Sequence, residues 1–486
     1  MTTFLVALAV LIGGYFVYGL LAEKVFGIDP ARKTPAVAAP DGVDCIPMPA
    51  WKVFMIQFLN IAGMGPIFGA IMGIMFGPAA FMWIVFGTIL AGGVHDFISA
   101  MMSVRSGGKS LPELVGRELG NGVRHVMLVF SVVLLILVGA VFVLTPSGLL
   151  AAMTPDAMDV TFWSVAIFIY YILATMLPID KLIGNLYPVF GGALLFMAVA
   201  LMGVMLFGDV TIPDNITEGF ANRHPSAQTH PIFPMLFISI ACGAISGFHA
   251  TQSPMMARCI TSERLARPVF YGAMVAEGIV ALIWAAAAIA FTGGYDGLAR
   301  YMADGGTPGA LVHDISIGWL GTFGGILAII GVVAAPITTG DTALRSARLI
   351  IADFARLRQT DIGRRAIICV PLFAVTFIVM MIDFNVLWRY FAWCNQTLAV
   401  FTLWAATVYL ARHRRWFYIT LFPALFMTVV TVSYLLVAPT PEGFGLDTTV
   451  GTGAGLAVAA LFLGLFLRYV SGLSRRVVPT AEISVD

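Results

Sequence analysis

The segment IACGAISGFHATQSP, residues 240–254, lies in an apolar run long enough to cross a bilayer, yet it contains residues that interrupt a helix. Gly243 and Gly247 loosen the backbone, and Ser253 followed by Pro254 is typical of a helix N-cap and first helical residue. Lipid cannot satisfy the backbone groups that such a break exposes. A break is therefore expected only around a cavity or binding site, as in secondary transporters. The restarting half-helix would direct the positive end of its dipole at a carboxylate.

Composition indicates a polytopic membrane protein. Of the 486 residues, 59% are hydrophobic and 11% are charged, whereas a soluble protein of this size needs far more charged surface. The five cysteines have neither paired nor metal-ligand spacing. The net charge of +1 says nothing about nucleic acid, but the sequence has no basic-aromatic stripe, and we expect no nucleic-acid partner. We expect a small-molecule substrate and membrane lipids as partners, no obligate protein partner, and no cofactor beyond a coupling Na⁺ or H⁺.

Apolar runs of about 20 residues each predict an all-α fold with about 13 transmembrane helices. The basic residues orient it, because Lys and Arg favour the cytoplasmic side. With the N-terminus outside and the C-terminus cytoplasmic, all of the 27 Lys and Arg residues except Arg223, Arg300 and Arg389 lie inside. The predicted spans are 3–22, 51–76, 78–104, 123–144, 161–178, 183–208, 232–257, 268–292, 315–339, 366–382, 386–411, 416–437 and 450–470.

A second interrupted span resembles the first. FLNIAGMG at 58–65 is similar to FISIACGA at 237–244, and Gly63-Met64-Gly65-Pro66 again puts a proline after a break. The charge pattern makes the two segments enter the membrane from opposite sides, as inverted repeats do. The predicted division is an extra helix and cytoplasmic loop at 1–50, a five-helix repeat at 51–208, an outer loop at 209–231, a second repeat at 232–411, and two extra helices with a cytoplasmic tail at 412–486.

This five-plus-five arrangement with broken helices is that of LeuT-like transporters, and three motifs resemble one family. SGFHATQSPMMARC at 246–259, GDTALRSARLIIAD at 340–353 and WRYFAWCNQTLA at 388–399 look like signatures of the carbon starvation protein A family. The stretch 63–105, with GGVHD at 92–96, is similar to its N-terminal half. The resemblance implies an importer of peptides or pyruvate in the bacterial inner membrane, within the amino-acid–polyamine–cation superfamily. The chain is shorter than larger family members, chiefly toward its C-terminus.

The substrate site is predicted between the two breaks, near the bilayer midplane. Free backbone groups there and side-chain donors at the start of a half-helix suit a carboxylate. For His249 the alternative is a structural role, capping or packing against a neighbouring helix. The predicted substrate-binding residues are Asn60, Gly63, Gly65, Ser246, His249, Thr251, Gln252, Ser253 and Asn395.

Charged residues inside predicted spans are the second functional signal. Asp96 and Glu277 occupy similar depths in spans three and eight, and a charge at a helix centre costs about 2.5–3.5 kcal/mol on insertion scales. We predict that both couple proton uptake to substrate movement. The alternative is an architectural role, with bonds to His95 or to a broken helix end.

The coupling ion stays open between proton and sodium. Lys181 begins the fifth core helix, where some proton-coupled LeuT-like proteins place a lysine, so it is a third coupling candidate. Gly63, Thr338 and Thr339 offer carbonyls and hydroxyls, the oxygen ligands that a hard cation prefers, so they form a candidate sodium site. For the two threonines the alternative is capping of a helix end.

The basic helical segment after the ninth span is predicted to lie at the surface. Arg345, Arg348, Arg356 and Arg358 would anchor to anionic headgroups, and Asp341 would pair with Arg345 one turn away.

Two functional alternatives remain. One is a sodium-coupled symporter of amino acids or other organic anions. The other is a membrane-embedded enzyme using His95 and Asp96, or His249. No nucleophile elbow, metal pair or phosphate loop accompanies these residues in the sequence, so we predict that the protein is not an enzyme.

Overall fold

The computed structural model describes residues 1–176, 183–213, 220–359, 361–382, 384–440 and 442–475. Throughout these residues the regular structure is helical, without a strand. Nine of the described helices are long and apolar enough to cross a membrane, and a bent pair at 50–74 makes a tenth crossing if counted as one. The predicted all-α membrane fold is confirmed, whereas the count of about 13 crossings stays a prediction.

Helix covers most of each of the first six predicted spans. The helices of this half are α1 (Thr2–Phe26), α2 (Pro35–Ala38), α3 (Ala50–Ala62), α4 (Gly65–Ile74), α5 (Ala79–Arg105), α6 (Leu111–Leu119), α7 (Asn121–Met153), α8 (Val160–Met176) and α9 (Ile183–Phe207).

Helix also covers most of the remaining spans. These helices are α10 (Ile232–Ser239), α11 (His249–Ala257), α12 (Glu263–Phe291), α13 (Tyr295–Ala303), α14 (Pro308–Leu327), α15 (Ala334–Ala355), α16 (Ile362–Val379), α17 (Phe384–Arg412), α18 (Tyr418–Val437) and α19 (Thr448–Arg475).

The ninth predicted span, 315–339, differs from the structure. α14 bends at Gly321, which has a φ of 62°, and a wide π-helical turn at Ala328–Val333 joins it to α15. The helix then continues to Ala355, beyond the predicted end. It continues because the polar side chains after residue 339 find partners inside the protein.

The first interrupted helix lies where the sequence predicts it. α3 ends at Ala62 and α4 begins at Gly65, with axes bent by 53°. Gly63, between them, has a φ of 47°, which side chains other than glycine rarely adopt. Pro66 is the second residue of α4, where its missing N–H costs no helical hydrogen bond.

The second interruption is longer. α10 ends at Ser239 and α11 begins at His249, so residues 240–248 form no regular helix. The predicted restart at Ser253-Pro254 is wrong, because Pro254 lies inside α11. Turn hydrogen bonds from the amides of His249 and Ala250 to the carbonyls of Ser246 and Gly247 already start the helix four residues earlier.

The two breaks pack against each other. A Cβ added to Gly65 would overlap the Cys242 side chain, and one added to Gly69 would lie 3.0 Å from the carbonyl oxygen of Ser239. Side chains of other helices complete the second break: Trp83 Nε1 donates to the carbonyl of Ile240 at 2.9 Å. Small residues thus allow a contact between backbones that larger side chains would prevent.

Replacing Gly247 by Ala should destabilise the protein. The added Cβ would overlap the backbone of Asn395 and Ala399 on α17, and such overpacking typically costs about 1–3 kcal/mol. Thermal unfolding of the purified protein measures the effect. Gly203→Ala in α9 is the matched control, because nothing lies within 4 Å of its added Cβ; equal melting temperatures for the two variants would contradict the packing of the second break.

The loop between α1 and α3 is tied to the end of α15. Asp44 accepts from Arg345 Nη1 at 3.2 Å and from Arg348 Nη2 at 2.9 Å, and both arginines are fully buried. Met48 N also donates to the carbonyl of Cys259, just beyond α11, at 3.1 Å. These three charged residues, the Asp44 cluster, close the end of the molecule at which α3 begins.

The predicted surface role of this helical segment is therefore wrong for two of its arginines. Arg356 and Arg358 are exposed, but Arg345 and Arg348 point inward to Asp44. The predicted surface pair of Asp341 and Arg345 is also wrong, since both are fully buried.

Replacing Asp44 by Asn should remove the carboxylate that the two buried arginines share, a change that typically costs about 3–5 kcal/mol. Burial raises the pKa of Asp44, but Arg348 and Arg345 outweigh it and hold the pKa below its ordinary value. Asp44 therefore stabilises the fold above about pH 4, and this contribution is lost as the pH falls through its lowered pKa. The free energies of unfolding of the variant and the wild type should therefore become equal at acid pH. Replacing the exposed Asp156 by Asn is the control, and this variant should be as stable as the wild type at every pH. If the stability difference between Asp44→Asn and the wild type stays the same in acid, the stabilising role of the Asp44 carboxylate is refuted.

Candidate functional site

A chain of four buried side chains joins α5, α11 and α12. His95 Nδ1 lies 2.8 Å from one carboxylate oxygen of Asp96, and His249 Nδ1 lies 2.9 Å from the other. His249 Nε2 in turn lies 3.6 Å from Glu277 Oε2. All four residues are at most 1% exposed. The structure thus brings the two predicted coupling carboxyls to the histidine of the second break.

Glycines let the helices approach closely enough for this contact. A Cβ on Gly92 would overlap the carbonyl of Ala244 in the second break, and one on Gly278 would lie 2.7 Å from Thr88 Oγ1. Wide π-helical turns precede both acids, at Thr88–Gly92 in α5 and Arg267–Tyr271 in α12. The site therefore depends on local backbone geometry as much as on its charged groups.

The contact between His249 Nδ1 and Asp96 favours one tautomer of His249. With Asp96 as a carboxylate, Nδ1 carries the proton that Asp96 accepts, so Nε2 presents its lone pair toward Glu277. Neither Nε2 nor either carboxyl oxygen of Glu277 has a hydrogen-bond partner among the described residues. A buried carboxyl without hydrogen bonds is unusual and marks a candidate functional group.

Asn395 organises the second break. Its side-chain oxygen accepts from Ser246 Oγ at 3.0 Å and from the amide of Phe248 at 2.7 Å. Thr251 Oγ1 donates to the carbonyl of Phe248 at 2.7 Å. These predicted substrate-binding residues lie together, but their hydrogen bonds stabilise the start of α11.

Two further predicted residues, Gln252 and Ser253, make hydrogen bonds within α11 or to α3. Gln252 Nε2 donates to Thr251 Oγ1 at 2.9 Å, whereas its carbonyl oxygen has no hydrogen-bond partner among the described residues. Ser253 Oγ accepts from Gln57 Nε2 at 3.2 Å. The sequence did not single out Gln57, although it lies one turn before Asn60 on the same interrupted helix.

Of the candidate sodium residues on α15, Thr339 lies against the first break. Thr339 Oγ1 donates to the carbonyls of Leu59 and Ala335 at 3.0 and 2.9 Å and lies 3.4 Å from a Cβ built on Gly63. Thr338 Oγ1 lies 2.8 Å from the carbonyl of Ala335. The helix-end capping alternative for the threonines is wrong, because both lie inside α15 and their hydroxyls bond back to the carbonyl of Ala335 in the same helix. The sodium site stays a prediction.

Other polar groups near the breaks are less fully bonded. Both amide atoms of Asn60 are buried without a hydrogen-bond partner among the described residues. Asp341, which the sequence analysis placed at the surface, accepts from Tyr187 Oη at 2.6 Å. Lys181 lies outside the described residues.

A cavity of about 220 Å³ reaches the contact between the breaks. Of the predicted substrate-binding residues, Gly65 lines it, together with Cys242 of the second break. A second cavity of about 920 Å³ shares Phe68, Met72 and Trp388 with it. The residues lining the smaller cavity are Gly65, Phe68, Gly69, Met72, Phe76, His224, His230, Met235, Ile238, Ser239, Ala241, Cys242, Trp388, Phe391, Ala392, Tyr434 and Glu442.

Cys242 is the main site residue that sequence reasoning missed. Its sulfur lies with donor atoms of His249 and Glu277 in a group no wider than 4.8 Å. A sulfur, a nitrogen and an oxygen donor together are of the types that bind transition metals. The signal available in the sequence was its position inside the interrupted segment.

Replacing Asn395 by Leu should lower stability, because it leaves the Ser246 hydroxyl and the Phe248 amide without their acceptor. Each unsatisfied buried group typically costs about 1–3 kcal/mol. Thr397→Val is the matched control on the same helix, because the Thr397 hydroxyl donates to the carbonyl of Trp393, one turn earlier in that helix, at 2.9 Å. Thermal unfolding should separate the two variants clearly; similar melting temperatures would show that Asn395 does not organise the break.

Interrupted helices around a buried polar site beside a cavity are typical of membrane transporters. The chain belongs to the CstA family, because the family model described as "Carbon starvation protein CstA" matches residues 1–162, 156–303 and 285–434. The family resemblance drawn from the sequence motifs is thereby confirmed.

Individual relatives are similar over parts of the chain. An uncharacterized membrane protein of Haemophilus influenzae is 42% identical over 338 residues, covering 60% of this chain and 91% of the relative. The peptide transporter CstA of Campylobacter jejuni is 30% identical over 334 residues, covering 56% of this chain and 47% of the relative. The pyruvate/proton symporter BtsT of Escherichia coli is 28% identical over 343 residues, covering 57% and 47%.

The matched region spans about half the length of these two curated transporters. Among solved structures, a variant of the manganese transporter of Eremococcus coleocola is similar with a TM-score of 0.49 and 12% identity, over 90% of this chain and 99% of that one.

Proposed function

We propose that the protein is a secondary active transporter that imports small carboxylate-bearing solutes, pyruvate or peptides, across the bacterial inner membrane by alternating access. The observation that carries this proposal is the direct packing of two interrupted helices around buried polar groups beside a cavity. Relatives named as a peptide transporter and a pyruvate/proton symporter support the solute class.

The proposed architecture is the LeuT-like five-plus-five inverted repeat, with repeats at 51–208 and 232–411, the N-terminus outside and the C-terminus cytoplasmic. Two observations support it. Each repeat begins with an interrupted helix, and the helix that follows carries a wide turn ahead of a buried acid, Asp96 or Glu277.

The proposed substrate site is the smaller cavity and the start of α11. The positive end of the α11 dipole lies at His249 and would stabilise a carboxylate. A volume of about 220 Å³ is below that of sites for drug-sized ligands, so it suits a small solute. The larger cavity beyond Phe68 and Trp388 would give room for the side chains of a peptide.

The two ends of the molecule support alternating access. The cavity extends past Phe76 at the end of the first interrupted helix, toward His224 and Glu442. The Asp44 cluster closes the opposite end, where that helix begins. With the proposed orientation, this conformation is open to the outside and closed to the cytoplasm.

Coupling is proposed to run through Asp96, His249 and Glu277, whose contacts form a path for a proton. The name of the pyruvate/proton symporter relative favours a proton as the coupling ion. The sodium site at Gly63, Thr338 and Thr339 is the second candidate, because Thr339 faces the first break.

Uptake by reconstituted protein tests the function. Proteoliposomes should accumulate labelled pyruvate or a small peptide against its gradient when a proton gradient is imposed; a response to a sodium gradient alone would favour the second coupling site. Flux without accumulation would indicate a channel. Conversion of the solute by detergent-solubilised protein, with no compartment present, would favour a membrane-embedded enzyme.

Replacing Glu277 by Gln should leave the protein folded but abolish gradient-driven accumulation, because an amide cannot release a proton. Counterflow exchange of labelled for unlabelled solute should persist. The exposed Asp304→Asn is the control and should accumulate solute like the wild type. Normal accumulation by Glu277→Gln would remove this residue from the coupling mechanism.

A further inference from the structure

Three buried side chains beside the cavity have a donor set that transport of a carboxylate does not require. Cys242, His249 and Glu277 place a sulfur, an imidazole nitrogen and a carboxylate oxygen within 4.8 Å of one another. The residues are 5%, 0% and 0% exposed. We propose that they form a binding site for a divalent transition metal of the zinc type.

The distances fit such a site with a small adjustment. Zinc bonds of about 2.0–2.3 Å in a tetrahedron place neighbouring ligand atoms roughly 3.3–3.8 Å apart. His249 Nε2 and Glu277 Oε2 already lie 3.6 Å apart. Because all three donor atoms lie within 4.8 Å of one another, Cys242 has at most about 1 Å to close to reach such a spacing. It lies in the irregular segment 240–248, where no helical hydrogen-bond ladder fixes it.

Asp96 and Asn395 orient two of the donor side chains, as residues around known metal sites do. Asp96 Oδ2 lies 2.9 Å from His249 Nδ1, and a metal-binding histidine typically gives its other N–H to a carboxylate in this way. The side-chain amide of Asn395 lies 3.8 Å from Cys242 Sγ and donates to it, which favours a thiolate.

No other hydrogen bond occupies the nitrogen and oxygen donors. His249 Nε2 and both carboxyl oxygens of Glu277 are buried without a hydrogen-bond partner among the described residues. The Cys242 sulfur makes two long contacts, donating to Ser246 Oγ at 3.6 Å and accepting from the Asn395 amide at 3.8 Å. Leaving such groups unpaired is unfavourable, and a bound cation would satisfy all three.

The donor types select the ion. Thiolate with imidazole suits zinc and similar first-row metals, whereas magnesium and calcium prefer oxygen ligands alone. Cys242 also lines the 220 Å³ cavity, which gives an ion a route to the site. Three protein ligands leave a fourth position for an exchangeable ligand.

Metal binding stands independently of the proposed function. A bound metal would also keep the coupling proton from Glu277, and this consequence for transport rests on the proposed function. A spectroscopic measurement of binding therefore distinguishes the failure of one proposal from the failure of the other.

Titration of the purified full chain with Co²⁺ tests the site. One Co²⁺ per chain should give the intense visible absorption of tetrahedral cobalt and a sulfur-to-cobalt charge-transfer band in the near ultraviolet, both removed by Zn²⁺. Cys242→Ser should abolish the charge-transfer band and weaken Zn²⁺ binding roughly tenfold or more. Cys369→Ser, which replaces another buried thiol on α16, should keep both. Glu277→Gln should weaken binding but keep the band, because the thiolate remains.

A measurement on the unmodified chain avoids the question of whether a variant folds. Zn²⁺ should slow alkylation of Cys242 by a small thiol reagent, as followed by mass spectrometry, and should leave the rate at Cys369 unchanged. Absence of the charge-transfer band in the wild type, its persistence in Cys242→Ser, or equal alkylation of Cys242 with and without Zn²⁺ would each overturn the proposal.

Discussion

The rest of the structure depends on hydrogen bonds that complete the interrupted segment 240–248. Its carbonyls cannot turn to water inside an apolar layer, and an unsatisfied buried group costs about 1–3 kcal/mol. Trp83 and Thr88 of α5 bond two of them, at Ile240 and Gly243, and Gln396 of α17 bonds that of Ile245. The break is thus held from two sides by helices that are distant in sequence. The position of His249 follows from those supports.

The charged groups follow the same constraint. Asp96 bridges His95 and His249, so it uses both carboxylate oxygens within the protein. Asp44 likewise accepts from two arginines, because removing one partner of a buried ion pair is far more costly than keeping both. The two clusters lie at different depths and belong to different contacts: one connects the helices after each break, and the other connects an entry loop to α15.

Several features could be predicted from sequence because they rest on local rules. The apolar runs, the glycine-proline breaks and the rarity of intramembrane acids identify α3, α4, α10 and α11 and the pair Asp96 and Glu277. Other features depend on long-range contacts. A basic helical face has the same pattern whether it meets lipid headgroups or a carboxylate, and the partner of Arg345 lies 301 residues away. A lone cysteine such as Cys242 has no spacing to interpret.

The restart of the second interrupted helix shows the limit of capping signals. Ser253-Pro254 is a helix-start pattern, but turns at Ser246 and Gly247 begin the helix earlier. Because the side-chain oxygen of Asn395 accepts the amide of Phe248 at that point, a tertiary contact overrides the local preference.

The wide turn at Thr88–Gly92 affects the direction in which the later side chains of α5 point. It contains one residue more per turn than an α-helix, and one residue corresponds to a rotation of about 100°. Asp96 follows four residues later. If the same residues formed a regular α-helix instead, every later side chain of α5 would be rotated by roughly 100°, and the Asp96 carboxylate would face away from His249. The extra residue in this turn thus sets the direction in which the Asp96 carboxylate points.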